Sequence, residues 1–160
     1  MATRSTIALE FADGTVGQVY CHWDGYLEHN GKILEQNYKD PFKLQQLIDL
    51  GDLSTLAAEI GEKHLFSNPN SYGTSEYAKW DEQFKNMCTF YGRDRNEEGC
   101  NARYFKNFAD YQANAQFEEY NYILRQVDGQ PVWFVEFHGC EGGHVAMAEA
   151  FAINEELEAE

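Results

Sequence analysis

The segment Cys21–Tyr26, which reads CHWDGY, is the densest group of side chains that could do chemistry. It follows a predicted strand, and loops at strand ends are a usual place for binding groups on a rigid support. His22 and Asp24 share a face if the strand continues, and a histidine beside a carboxylate can accept a proton or bind a ligand. The structural alternative places Trp23 in the core, makes His22 a hydrogen-bonded neighbour and leaves Asp24 in a simple turn.

A second group is the segment 138–144, which reads HGCEGGH. Imidazole and thiolate are ligands that Zn²⁺ takes in tetrahedral geometry, so His138, Cys140 and His144 are candidate metal ligands. Their spacing matches no standard zinc module, and a fourth ligand would have to come from Cys21 or His22. The competing interpretations are a glycine-rich loop whose amides contact an anion or other ligand, and a plain turn. We therefore predict neither a bound metal nor a cofactor.

A third group is Arg93 and Arg95, with Arg4 on the first predicted strand. Guanidinium groups bind phosphate through paired hydrogen bonds, and aromatic rings nearby could stack on a base, which would suit a nucleotide messenger. The alternative is that neighbouring acidic residues such as Asp94 neutralise both arginines on a solvated loop. The predicted ligand-binding residues are Arg4, His22, Trp23, Asp24, Tyr26, Arg93, Arg95 and His138.

The charge limits the class of partner. The chain has 160 residues, with 27 acidic and 12 basic side chains and a net charge of -15. Clustered Lys and Arg are needed to neutralise phosphates, so we expect no direct nucleic-acid binding and no anionic membrane surface. An acidic surface can instead meet a basic protein, as a mimic of nucleic-acid phosphate would, or it can serve solubility alone with a solvated tail at 154–160.

The rest of the composition indicates a globular protein of the cytoplasm. No run of about 18 apolar residues could span a membrane, and the first ten residues contain no apolar stretch of signal-peptide length. The four cysteines form no CxxC pair, so free thiols are expected.

Alternating apolar residues predict two β-hairpins, at 3–22 with a turn at Asp13-Gly14 and at 118–138 with a turn at Asp128-Gly129. Between them, Asp40 and Pro41 predict the start of an amphipathic helix that ends at Gly51. Further helical spacing falls at 28–38, 52–60, 77–88 and 104–111, with loops at 67–75 and 92–99, while 146–153 fits a strand or a short helix.

These elements predict the fold class. Two hairpins around a helical middle indicate an α+β domain, with an antiparallel sheet built from the N- and C-terminal hairpins and helices packed on one face. We expect one domain over 1–153, followed by the acidic tail. The two hairpins should bring segments 21–26 and 138–144 close together.

The motifs Thr3-Arg4-Ser5-x-Ile7, Asp13-Gly14 and above all Tyr20–Tyr26 resemble a group of small uncharacterised proteins of bacteriophages and their hosts. The resemblance extends through 31–34, 47–52 and 118–122. It implies a phage or prophage accessory gene, and such proteins are often inhibitors or decoys of host systems. It implies no activity, cofactor or site.

Three functions remain open. The first is a phage-encoded, non-enzymatic binding protein that inhibits or sequesters a host-defence component, either a basic host protein or a nucleotide messenger. The second is a small metal-dependent hydrolase that uses His22, Asp24 and His138; catalysis has no other support, because no Walker loop, HExxH or nucleophile-elbow motif occurs. The third is an interaction protein without a small-molecule site. A homodimer is compatible with each of them.

Overall fold

A computed structural model describes residues 2–138, 140 and 143–159. Both predicted hairpins are confirmed, as β1–β2 and β6–β7. The elements in chain order are β1 Ser5–Glu10, β2 Val16–Cys21, a π-helical turn Leu27–Gly31, α1 Lys32–Asn37, α2 Pro41–Asp49, β3 Leu53–Thr55, α3 Ser75–Phe84, β4 Thr89–Phe90, α4 Tyr91–Arg95, β5 Arg103–Phe105, α5 Phe108–Asn114, β6 Tyr120–Val127, β7 Gln130–Phe137, β8 Val145–Ala146 and α6 Met147–Ala159.

The hairpins join in one eight-stranded sheet, so the α+β class is confirmed. The strand order is β4-β3-β2-β1-β6-β7-β8, and β5 pairs antiparallel with residues 16–18 of β2. The prediction of a purely antiparallel sheet is wrong, because β1 runs parallel to β6 and β2 parallel to β3. The first strands of the two hairpins, β1 and β6, pair with each other. A long crossover connection separates them in the sequence, and such a connection lets two neighbouring strands run parallel.

The sheet has an apolar face and a mixed face, which follow from the alternation of side chains along each strand. In β1, Ile7 and Leu9 point to the larger core, whereas Ala8 points to a smaller one. The larger core buries residues of α1, α2 and α6, among them Leu34, Leu44, Leu47, Ile48 and Ala150. Helix α5 is the exception to packing on one face, since its Tyr111 packs with Ala8 on the other side.

Helix α2 forms as predicted. The Asp40 side chain accepts a hydrogen bond from the Phe42 amide at 3.0 Å, and Pro41 occupies the first helical position, where no amide hydrogen is needed. Gly51 ends the helix with φ +87°, and a Cβ there would collide with the carbonyl oxygen of Cys100. The helix is therefore defined by local signals at both ends.

The middle of the chain departs from the predictions. The segment 52–60, expected to be helical, contains β3, and part of the predicted helix 104–111 belongs to β5. Both strands have three residues, too few for alternation to be visible, and both are defined by pairing with β2. The predicted loop 92–99 begins with the short helix α4, and 146–153 is mostly helical.

Helix α6 continues through residues 154–159 of the predicted acidic tail. Within the described part of the chain, none of the helices combines the length and the apolar character needed to cross a bilayer.

Candidate functional site

The segment Cys21–Tyr26 forms a corner where β2 leaves the sheet, and we call it the corner. Its backbone is fixed by hydrogen bonds: the Trp23 amide donates to Ser54 O at 3.0 Å and the Gly25 amide to Thr3 O at 2.8 Å. A Cβ on Gly25 would lie 2.6 Å from the Ser5 Cβ, so only glycine allows this close approach. The corner is thus pressed against the start of β1.

Two buried side chains hold the corner from below. The Asn30 amide nitrogen donates towards Ser5 Oγ, Cys21 Sγ and Trp23 O at 3.3, 3.5 and 3.4 Å. The phenol of Tyr122 donates to Gly25 O at 2.6 Å. These contacts link the corner to the π-helical turn and to β6, so the polar backbone of an exposed loop is satisfied from inside the core.

The outer side of the corner presents aromatic rings. Trp23 is 44% exposed and Tyr26 is 39% exposed, so Trp23 is not a core residue. The His22 ring contacts the edge of Trp23 at 4.8 Å between centroids. Its Nδ1 lies 2.7 Å from the hydroxyl of Tyr20, which fixes the imidazole. The predicted residues His22 and Trp23 therefore lie together, while the Tyr26 ring contacts His29.

A polar cleft lies beside the corner on the mixed face of the sheet. Its cavity is about 40 Å³, room for little more than an ordered water, and its lining is Thr6, Gln18, Tyr20, Arg103, Gln116 and Glu118. Burial raises the pKa of Tyr20, while the nearby Arg4 charge opposes that rise. Arg4 itself is exposed. The cleft is too small for a nucleotide.

Arg103 at this cleft has a structural role. Its guanidinium donates two hydrogen bonds to the Asp52 carboxylate, each 3.1 Å long. The same carboxylate accepts the Tyr20 amide at 2.8 Å, so Asp52 ties β2 to β5. The sequence analysis missed the pairing of Arg103 with Asp52. An aspartate that follows Gly51 gives no local signal for a partner 51 residues away.

Arg93 faces inward. Its Nε donates to Asp94 Oδ1 at 3.0 Å, and its Nη atoms donate to the carbonyls of Ile60, Gly61 and Cys88. Asp94 is buried and also accepts the amides of His64 and Phe90. Arg93 therefore holds loops together and offers no free fork to a phosphate.

Arg95 lies at the surface and pairs with Glu97, and its guanidinium stacks over the rings of Phe66 and Tyr91. The alternative in which local acidic residues occupy the arginines describes both Arg93 and Arg95.

The second predicted group is dispersed around β7 and β8. His138 is exposed and contacts the rings of Tyr120 and Phe137. The Cys140 thiol points towards Val135 O at 3.7 Å. Residues 139, 141 and 142 of this group lie outside the described residues.

His144 turns away from both of its predicted co-ligands. Its ring lies among Phe108, Tyr111 and Phe117, and within the described structure its Nδ1 is buried without a hydrogen-bond partner. Burial, with a smaller contribution from Arg125, lowers the pKa of His144 to about 4. The imidazole is therefore neutral at physiological pH.

The sheet register shows how the two predicted segments relate. Cys21, Ser5, Tyr120 and Phe137 lie in one row across four strands, so the corner and His138 lie at the same end of the sheet. Three strand spacings separate β2 from β7, about 14 Å. Zinc ligands lie about 2 Å from the ion, so His22 and His138 cannot share one.

The chemistry available at these groups is limited. Among the residues that the structure describes, no three His, Cys, Asp or Glu side chains are grouped so that they could hold a metal ion. All four cysteines are free, and burial raises the pKa of Cys21 to about 12, so its thiol is a poor nucleophile. What the corner offers is exposed aromatic rings on a hydrogen-bonded loop.

Comparisons with protein families, with curated proteins and with solved structures find no match to this chain.

Proposed function

We propose that this chain is a non-enzymatic binding protein that docks on a basic partner protein through the corner. One observation carries the proposal: a loop whose backbone is hydrogen-bonded to the neighbouring strands exposes Trp23, packed against His22, and Tyr26 three residues further on. Trp and Tyr are enriched among the residues that dominate binding energy, and a surface ordered beforehand loses little entropy on binding.

The charge supports a basic partner. Among the described residues, seven Lys or Arg side chains form ion pairs with seven carboxylates. These pairs remove equal numbers of both signs, so the excess of 27 acidic over 12 basic residues in the chain is unchanged. Such a field accelerates the approach of a positively charged protein and opposes polyanions.

The likeness to phage accessory proteins extends the proposal to the kind of partner. We propose a component of host defence that the chain inhibits or sequesters. A basic host protein is better supported than a nucleotide messenger, because Arg93 and Arg95 are engaged within the chain and the cleft beside Tyr20 is small.

The test is a comparison of captured proteins. Wild type, the double variant Trp23→Ala/Tyr26→Ala and the control Phe42→Ala are immobilised and exposed to a bacterial lysate. Phe42 is 79% exposed on α2, so its variant removes an even more accessible ring elsewhere. We expect a basic protein retained by wild type and Phe42→Ala, lost from the double variant and released by about 0.5 M salt, which screens charges beyond a few ångström.

Two results would overturn the proposal: retention of the same proteins by all three chains, or retention of none above background. Isothermal titration with cyclic nucleotides and ADP-ribose tests the messenger alternative separately. We expect no heat of binding, and saturable heat would favour the messenger.

A further inference from the structure

Residues 61–86 form a protruding segment that we call the arm. The chain leaves and returns at one place, where Glu59 bridges Met87 and the Cys88 amide donates to Glu59 O at 2.8 Å. Helix α3 lies within the arm, and none of its ten residues is buried. The arm is therefore an excursion from the sheet that adds nothing to the main core.

The arm is nevertheless ordered by its own hydrogen bonds. The Thr74 hydroxyl caps α3 by accepting the Tyr77 amide at 3.2 Å. Asn68 and Asn70 donate from their side chains to the carbonyls of Tyr77 and Glu76 at 3.0 and 3.2 Å. The arm thus presents a defined surface rather than a loose loop.

That surface is apolar where it is most exposed. Tyr72 is 89% exposed and Leu65 is 57% exposed, and the Tyr72 ring meets Tyr77 edge-on at 5.2 Å. Trp80 lies about one turn of α3 beyond Tyr77 and is half-buried against Phe84. Large apolar side chains gathered on a peripheral element are typical of a protein contact.

The charge of the arm indicates what covers it. Its 26 residues include four acidic and three basic side chains, a net charge of -1, so the other 134 residues carry -14. A basic partner is drawn to the remainder of the molecule rather than to the arm. The remainder of the molecule is strongly acidic, so it repels polyanions and anionic membranes from the three lysines of the arm.

We propose that the arm of a second copy of this chain covers this surface, in a two-fold contact centred on Tyr72, Tyr77 and Trp80, with Leu65 exposed on the same arm. In such a contact the same patch meets itself, so it must carry both signs of charge to be self-complementary. The arm does so, with Lys79 one turn from Glu76 on α3 and with Lys85 paired to Glu82. Its net charge of -1 also makes it a less repulsive contact than the remainder of the molecule, which carries -14.

The test is the solution mass of the full chain by sedimentation velocity, from about 5 µM to about 500 µM, a range that covers affinities typical of small interfaces. We expect a mass that rises with concentration towards twice 18.4 kDa. Tyr72→Asp and Leu65→Asp should each return the chain to the monomer mass. Phe42→Asp places the same charge on an exposed ring of α2 and should dimerise like wild type.

Salt provides a second readout. Repulsion between the acidic remainders opposes self-association, so raising NaCl from about 50 to about 500 mM should tighten the dimer, since screening shortens the reach of these charges. Wild type that stays monomeric, a dimer that both aspartate variants retain, or a dimer that salt loosens would each overturn the proposal. Unchanged unfolding midpoints of Tyr72→Asp and Leu65→Asp would show that these variants lose the dimer and not the fold. The proposed function is tested by Trp23→Ala/Tyr26→Ala, which leaves the arm unchanged, so the two proposals can fail independently.

Discussion

The corner and the arm both expose aromatic rings, but they are supported in opposite ways. The corner lies on the sheet, and buried Asn30 and Tyr122 hold it from the main core. The arm is supported at its root, where Asp94 accepts the His64 amide, and by hydrogen bonds within itself. Exposed rings on a loop that the core holds in place are ordered before a different protein binds them. Exposed rings on a segment without its own core leave apolar surface that self-association would bury.

The largest expected effect breaks the root of the arm. Asp94→Ala leaves the amides of His64 and Phe90 and the Nε of the largely buried Arg93 without their acceptor. Losing one partner of a buried pair costs about 3–5 kcal/mol of unfolding free energy. Urea unfolding measures it, with Glu97→Ala as the control, because the Glu97–Arg95 pair is exposed to solvent and contributes little to stability. A loss below about 1 kcal/mol for Asp94→Ala would show that the arm is held by other contacts.

Acid should destabilise the sheet that supports the corner. The folded-state pKa of His144 is about 4 against an ordinary 6.5. Between these values the unfolded chain binds the proton and the folded chain does not, so stability from this group is present above pH 6.5 and is lost as the pH falls towards 4. The loss is about 2 kcal/mol by pH 4.5.

The variant His144→Gln isolates this contribution. It should lose less stability than wild type between pH 7 and pH 4.5, by about 2 kcal/mol in urea unfolding. Equal losses in both chains would show that His144 is not held neutral.

The third effect loosens the corner alone. Asn30→Ala removes the donor shared by Ser5, Cys21 and Trp23 and should cost about 1–3 kcal/mol. Asn37→Ala is the matched control, because its side chain donates one bond to Ile33 O on a more exposed helix. Thermal unfolding of the two variants compares them, and equal midpoints would mean that the corner does not depend on Asn30.

The smallest effects concern the exposed rings themselves. Trp23→Ala and Tyr72→Ala should each change the unfolding free energy by about 1 kcal/mol or less, because both rings face solvent. Chemical unfolding of wild type and both variants measures this change, at a low concentration where the chain is monomeric. A loss of several kcal/mol for either ring would mean that the region uses it for its own packing.

What the sequence could predict was local. Both hairpins and the cap at Asp40 follow from alternation, turn residues and spacing within a short window. Residues 21–26 were predicted as a binding surface; the structure exposes Trp23 and Tyr26 there and packs His22 against Trp23, and binding stays a prediction.

What the sequence could not predict depends on distant partners. Arg93 reads as a free guanidinium until Asp94 and the carbonyl of Ile60, 33 residues earlier, are seen to occupy it. Asn30 reads as an ordinary polar residue until the π-helical turn buries it beneath the corner. The parallel pairing of β1 with β6 joins residues 115 positions apart, and no local signal encodes it.

Native-state hydrogen exchange at the corner tests most directly whether this surface is ordered before any partner arrives. We predict that the amides of Trp23 and Gly25 exchange only through global unfolding, with the urea dependence of core strand β6, while amides at 67–73 in the arm exchange through local opening. Exchange of Trp23 and Gly25 at the rate of the 67–73 loop would contradict a preorganised corner, and with it the proposed mode of binding.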